Sequence, residues 1–171
     1  MPFYYKENII LRRCLFEGKR ELFKDLWIHK NSDWEWKEYP VIALDFNRIP
    51  HGFPGQLEKE LFFTLEKCAE REGFKLKAPS LGTKFGELIL KLKEKTGQDI
   101  VFLVDEYDKP IIDFIGKGED ELKVAIKNRD LLKSFYGVLK GVDIAPVLKF
   151  VLLTVSSIPC PIPTLKSKRP F

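Results

Sequence analysis

Three apolar runs, separated by segments with helical spacing, predict an α/β domain built on a three-layer parallel sheet with flanking helices. The runs are Val41-Ile42-Ala43-Leu44-Asp45-Phe46, Ile100-Val101-Phe102-Leu103-Val104 and residues 148–154. None alternates apolar with polar residues, so each suits a strand covered on both faces, as strands of parallel sheets are. Strand, helices, strand, helix, strand is also the order in which parallel neighbours are joined by helical crossovers.

The elements follow in order. Residues 9–27 carry Ile9, Ile10, Leu11, Leu15, Phe16, Leu22, Phe23 and Leu26 among helix formers, and read as two helical pieces broken at Gly18. Trp34-Glu35-Trp36-Lys37-Glu38-Tyr39-Pro40 is an irregular aromatic connector into the first strand. Pro50, Gly52, Pro54 and Gly55 then mark a loop, and Leu57, Leu61, Phe62, Leu65, Cys68 and Ala69 recur at helical spacing until Gly73. Phe85, Leu88, Ile89 and Leu92 give a second amphipathic helix, ending near Gly97. The second strand stops abruptly at Asp105-Glu106-Tyr107-Asp108. Beyond Pro110, Leu122, Ala125, Ile126, Leu131, Phe135, Val138 and Leu139 mark a long helix closed by Gly141, and the third strand carries Thr154 near its end. Residues 158–171 hold four prolines with Lys166, Lys168 and Arg169, and predict a poorly ordered tail after a domain spanning 1–157.

Composition narrows the function classes. Of 171 residues, 44% are hydrophobic and 32% charged, enough for one globular core and too apolar for disorder. A net charge of +4 from 29 basic and 25 acidic residues is a mixed surface, with no general grip on nucleic acid. Cys14, Cys68 and Cys160 lie far apart, and His29 and His51 have no zinc-ligand spacing, so neither a disulfide framework nor a zinc enzyme is expected. No run approaches the roughly 18 apolar residues of a membrane span, and residues 1–8 lack a signal-peptide plan. A cytoplasmic setting is the expectation.

The acidic cluster is the most informative feature. Open parallel sheets bind ligands at the carboxyl ends of their strands, and Asp105 and Glu106 sit at one such end. There Asp105 suits Mg²⁺, held through water, while Glu106 suits the orientation of a water attacking a phosphate. The same pair also suits a cap on the helical turn that follows. Asp45 divides in the same way between the edge and a turn, and Asp108 between the metal's surroundings and the turn before Pro110. Trp27, Trp34 and Trp36 suit packing more readily than stacking on a base.

The wording around the cluster goes further. Residues 38–46, the string Asp105-Glu106-Tyr107-Asp108-Lys109-Pro110, Phe135-Tyr136-Gly137-Val138-Leu139-Lys140 and Phe150-Val151-Leu152-Leu153-Thr154 closely resemble the AAA-ATPase-like family. Leu15-Phe16-Glu17-Gly18-Lys19-Arg20-Glu21-Leu22-Phe23-Lys24 resembles the family's segment just after its phosphate loop. The resemblance runs from about Leu11 to Thr154. It implies a P-loop NTPase-like core that binds ATP with Mg²⁺, with Asp105 and Glu106 as the Walker B carboxylates and Thr154 near the polar sensor position. It also implies a PD-(D/E)XK nuclease-like module further on in many members.

The sequence departs from that family at both ends. The 171 residues contain no G-x-x-x-x-G-K-[ST], the loop whose backbone N–H groups and lysine cradle phosphates. After Thr154 the wording leaves the family for Val155-Ser156-Ser157-Ile158-Pro159-Cys160. Glu106-Tyr107-Asp108-Lys109 has the wrong spacing for a nuclease motif. The expectation is an incomplete domain, a gene fragment or frameshifted product, with weak or no nucleotide binding and no hydrolysis by itself. The alternative is a non-catalytic interaction module.

Overall fold

The computed structural model describes residues 8–156. The expected tail, with Cys160, lies outside the described residues. β1 (Val41–Asp45), β2 (Ile100–Asp105) and β3 (Leu148–Leu153) form a sheet in that order, and both neighbouring pairs are parallel. All three apolar runs are therefore strands of one parallel sheet, and the acidic strand lies at its centre.

Alternation along the strands divides the core in two. Ile42, Leu44, Ile100, Phe102 and Val104 point to the face covered by α3 (Gln56–Arg71), α4 (Leu81–Thr96) and α6 (Glu119–Gly137). Leu57, Leu61 and Leu65 from α3, and Phe85, Leu88 and Ile89 from α4, are fully buried there. Phe85 stacks on Phe135 at 4.4 Å and tilts against Phe102 at 5.0 Å. Full burial of each such ring is worth about 1.5–3 kcal/mol, which outweighs the weak propensity of the individual segments. Ser80 starts α4 with a capping box closed by Thr83, and Gly97 ends it in a left-handed conformation (φ 67°) that a side chain would strain.

The opposite face is thinner. α1 (Asn8–Phe16) lays Phe16 over Val101 and Leu103, with Trp34, Tyr39 and Leu152 around it. Trp34 meets Phe16 edge-on at 5.5 Å, and Trp36 tilts against Phe23 at 5.3 Å. The aromatic connector is thus packing, although Trp27, at the start of the short α2 (Trp27–Asn31), is 71% exposed.

Cover on both faces was the expectation for all three strands, and β2 alone meets it in full. Along β3, Phe150, Val151 and Leu153 are 41%, 37% and 39% exposed: β1 and β3 are both edges, but the helices lie over β1 and β2 and reach β3 less. An apolar run records what a strand needs around it, whereas the described fold supplies a neighbour on one side. α6 also stops at Gly137, and a 3-10 turn of Val138–Lys140 leads to Gly141. Asn128, buried in α6, donates from Nδ2 to the Pro110 carbonyl at 2.8 Å and ties down the four-residue α5 (Lys109–Ile112). Among the described residues no helix is long and apolar enough to cross a membrane.

Candidate functional site

Parallel pairing brings the carboxyl ends of β1, β2 and β3 to one edge. Asp45 lies opposite Asp105 in the β1–β2 register, so both carboxylates leave the sheet on the α1 face. They do different work. Asp45 accepts from the Asn47 backbone N–H at 3.0 Å and pairs with Arg48 at 3.3 Å, which makes it the turn residue of the loop after β1.

Asp105 turns to β3 instead. The Thr154 hydroxyl donates to Asp105 Oδ1 and lies 3.3 Å from the Val104 carbonyl oxygen. Its oxygen also faces the Glu106 backbone N–H at 3.4 Å. The backbones continue the parallel ladder past the strands: Thr154 N–H donates to Val104 and Tyr107 N–H to Thr154. Two of the residues singled out in the sequence, 49 positions apart, therefore share a hydrogen bond.

Glu106 takes a left-handed backbone, φ 51°, at a non-glycine position. Such a conformation costs on the order of 1–3 kcal/mol and persists where surrounding contacts enforce it. Here the enforcing contacts are the ladder through Tyr107 and Thr154 and a hydrogen bond from Lys109 N–H to the Glu106 carbonyl. Neither Asp105 nor Glu106 caps α5; Asp108 occupies the cap position and makes no side-chain cap bond. Asp108 Oδ1 instead accepts from the Ser156 N–H at 2.7 Å, and the Ser156 hydroxyl lies 3.4 Å from Glu106 Oε2. Ser156 escaped the reading of the sequence, and its one signal there was its place two residues after Thr154.

Asp105 and the Thr154 hydroxyl are hard oxygen donors of the kind Mg²⁺ takes. Among the described residues no group hydrogen-bonds the second oxygen of Asp105, Oδ2. No group of three or more His, Cys, Asp or Glu side chains gathers as a metal cage among the described residues. That composition fits an ion bound through one or two carboxylates and a substrate's phosphates, as Mg²⁺ commonly is, and does not fit a structural metal.

A three-stranded parallel sheet flanked by helices, with carboxylates at its carboxyl edge, defines a mixed α/β protein whose candidate site lies where open parallel sheets bind their ligands. The chain belongs to the AAA-ATPase-like family, described as predicted AAA-ATPases, whose model matches residues 8–159. It is similar to an uncharacterized protein in the vnfD 5′ region of Azotobacter chroococcum mcd 1, at 32% identity over 137 residues. That match covers 75% of this chain and 24% of the relative, so the chain spans about a quarter of the length of the curated relative it matches. No solved structure matches it.

Proposed function

We propose that Asp105, Glu106 and Thr154 are the metal- and water-handling half of an ATP site of P-loop NTPase type. The phosphate-holding half belongs on the outer edge of β3. One observation carries this reading: Thr154 holds Asp105 across the β2–β3 boundary, directly beside the outer edge of β3, which no further strand pairs among the described residues and along which Val151 and Leu153 are partly exposed. A parallel strand seated there would bury Val151 and Leu153, and its carboxyl end would emerge next to the acidic pair. Alongside the same edge runs a groove of about 460 Å³, walled by Phe16, Trp34, Phe150 and Leu152.

Mg²⁺ bound with ATP would supply charge neutralisation on the β- and γ-phosphates. The residues of this chain do the rest. Asp105 is oriented by the Thr154 hydroxyl, which fixes one carboxylate oxygen and leaves the other for the metal's water shell. Glu106, set by its left-handed backbone and with its carboxylate beside the Ser156 hydroxyl, would orient a water. Thr154 is a positioning residue that acts through Asp105.

Within the 171 residues nothing has the donor pattern that grips a triphosphate, and positioning supplies most of the catalysis in phosphoryl transfer. This chain by itself is therefore a weak nucleotide binder with background hydrolysis. The test is a longer polypeptide in which a strand and a G-x-x-x-x-G-K-[ST] loop are joined ahead of α1. ATP binding and turnover are expected to appear together, and Glu106→Gln should abolish turnover while sparing binding. Turnover untouched by Glu106→Gln would remove Glu106 from the mechanism.

A further inference from the structure

α6 carries apolar residues on two faces. Val124, Ala125, Asn128, Leu132 and Phe135 are buried, and Leu132 and Phe135 join the core that also holds Phe102. On the side away from the sheet, Leu122 is 49% and Ile126 41% exposed. These two lie in a stripe of Glu119, Leu122, Ile126, Arg129 and Lys133, in alternating steps of three and four, the spacing of a helix–helix seam. Every residue of the stripe is exposed, where a solvated helix face would be polar throughout.

The helix's own ends explain part of this pattern. Carboxylates in a first turn complement its free N–H groups, as Glu119, Asp120 and Glu121 do. That effect accounts for neither apolar residue, nor for Arg129 and Lys133, since the last turn holds no basic residue. The ion pairs within α6 are Lys123–Asp120 at 2.7 Å and Arg129–Asp130 at 2.8 Å, both on the surface. Glu119 and Lys133 pair with nothing among the described residues. Acid, apolar, apolar, base is an order that complements itself when reversed. Laid antiparallel on a second copy, about a two-fold axis at the level of Val124, Leu122 of each copy meets Ile126 of the other, and Glu119 meets Arg129. Lys133, a turn further on, approaches the same acidic end. A parallel arrangement would instead set Glu119 against Glu119 and Arg129 against Arg129.

We propose that the outer stripe of α6 is an interaction surface for a second copy of this chain, the two copies pairing through antiparallel α6 helices. A two-fold interface requires a surface that matches itself when reversed, and the charge order of the stripe meets that requirement. One helix from each copy makes an interface at the low end of the specific range, below about 1,200 Å², so the pair forms and parts with concentration. The stripe faces away from the sheet, so this pairing leaves the β3 edge free. It requires no nucleotide, and its test is independent of the ATP reading.

Sedimentation velocity over a concentration series tests the pairing, in the 171-residue chain carrying Val151→Lys so that the β3 edge does not contribute. That chain is expected to dimerise still. Adding Ile126→Glu, which sets a carboxylate into the apolar seam from both copies at once, should raise the dissociation constant at least about tenfold. Charge reversal separates the stated geometry from general stickiness. Glu119→Lys in one chain, and Arg129→Glu with Lys133→Glu in another, should each weaken self-association by about tenfold, the scale of a few surface ion pairs. An equimolar mixture of those two chains should recover association, because unlike chains are complementary at both ends of the seam. If Val151→Lys does not fold, the same mixture without it decides the matter. A Val151→Lys chain that stays monomeric throughout, an association that Ile126→Glu leaves unchanged, or a mixture that associates no better than its components overturns the proposal.

Discussion

Replacing Thr154 with valine keeps the shape of the side chain and deletes the hydroxyl that joins β3 to the acidic motif. Three relations go at once: the bond donated to Asp105, the 3.4 Å approach of the Glu106 N–H and the contact with the Val104 carbonyl. A hydrogen bond to a charged group contributes about 1.5–3 kcal/mol when undisturbed. Asp105 is half-buried, so water recovers part of that loss, leaving a cost of about 1–2 kcal/mol. For a chain of this size each kcal/mol moves the midpoint by about 2–4 °C, so Thr154→Val should melt roughly 2–8 °C lower. Thermal unfolding by circular dichroism, run on Thr154→Val, Asp105→Ala and the double variant, separates the pair from its surroundings. The expected coupling is about 1 kcal/mol, because either single change already breaks the bond. Losses that add to within about 0.5 kcal/mol would show that the two side chains act independently, and would remove Thr154 from its positioning role.

Two further outcomes follow from other parts of the molecule. The uncovered β3 edge should drive concentration-dependent association of the 171-residue chain, and Val151→Lys should reduce it, as edge lysines do; sedimentation velocity reads both, and a monomeric native chain would count against the edge as an open surface. Glu87 accepts from the Ala78 and Lys77 backbone N–H groups at 2.8 Å each, and the Ala78 bond is the main reason its pKa is lowered. A lowered carboxylate contributes stability that is present above its unfolded value, about 4.3, and is lost as the pH falls through the folded value. Glu87→Gln should therefore be less stable than the native chain at neutral pH and equal to it in strong acid, and a gap that persists unchanged to low pH would refute that cause.

Legibility in the sequence followed the range of the forces involved. β2 was readable because Ile100, Val101, Phe102, Leu103 and Val104 are apolar without a break and buried on both faces. α3 and α4 were readable from apolar spacing and from Gly73 and Gly97, whose left-handed conformations lie just past their ends. The position of β3 as an exposed edge was not, because Phe150 and Val151 look the same whether or not another strand is present. α2, α5 and the 3-10 turns are four or five residues or fewer, too short for periodicity to register. At the site, Asp105 and Glu106 were visible as carboxylates at a strand end, and Thr154 through family resemblance. Their mutual geometry was not visible, nor was the left-handed Glu106, because ladder contacts between residues about 50 positions apart impose both. The 3.1 Å contact of His51 Nε2 with Asp113 Oδ2, between the loop after β1 and the end of α5, gave no signal either, since nothing in local spacing links the two residues.

ATP turnover by the purified 171-residue chain in excess Mg²⁺, beside its Asp105→Ala variant, decides whether the acidic pair can act without a phosphate loop. In the proposed site Asp105 and Glu106 act on a nucleotide that other groups must first hold, and the β3 edge is where those groups belong. Both proteins are therefore expected to stay at the background rate. Robust Mg²⁺-dependent turnover that Asp105→Ala removes would show that these residues suffice without a phosphate loop, and would contradict the account.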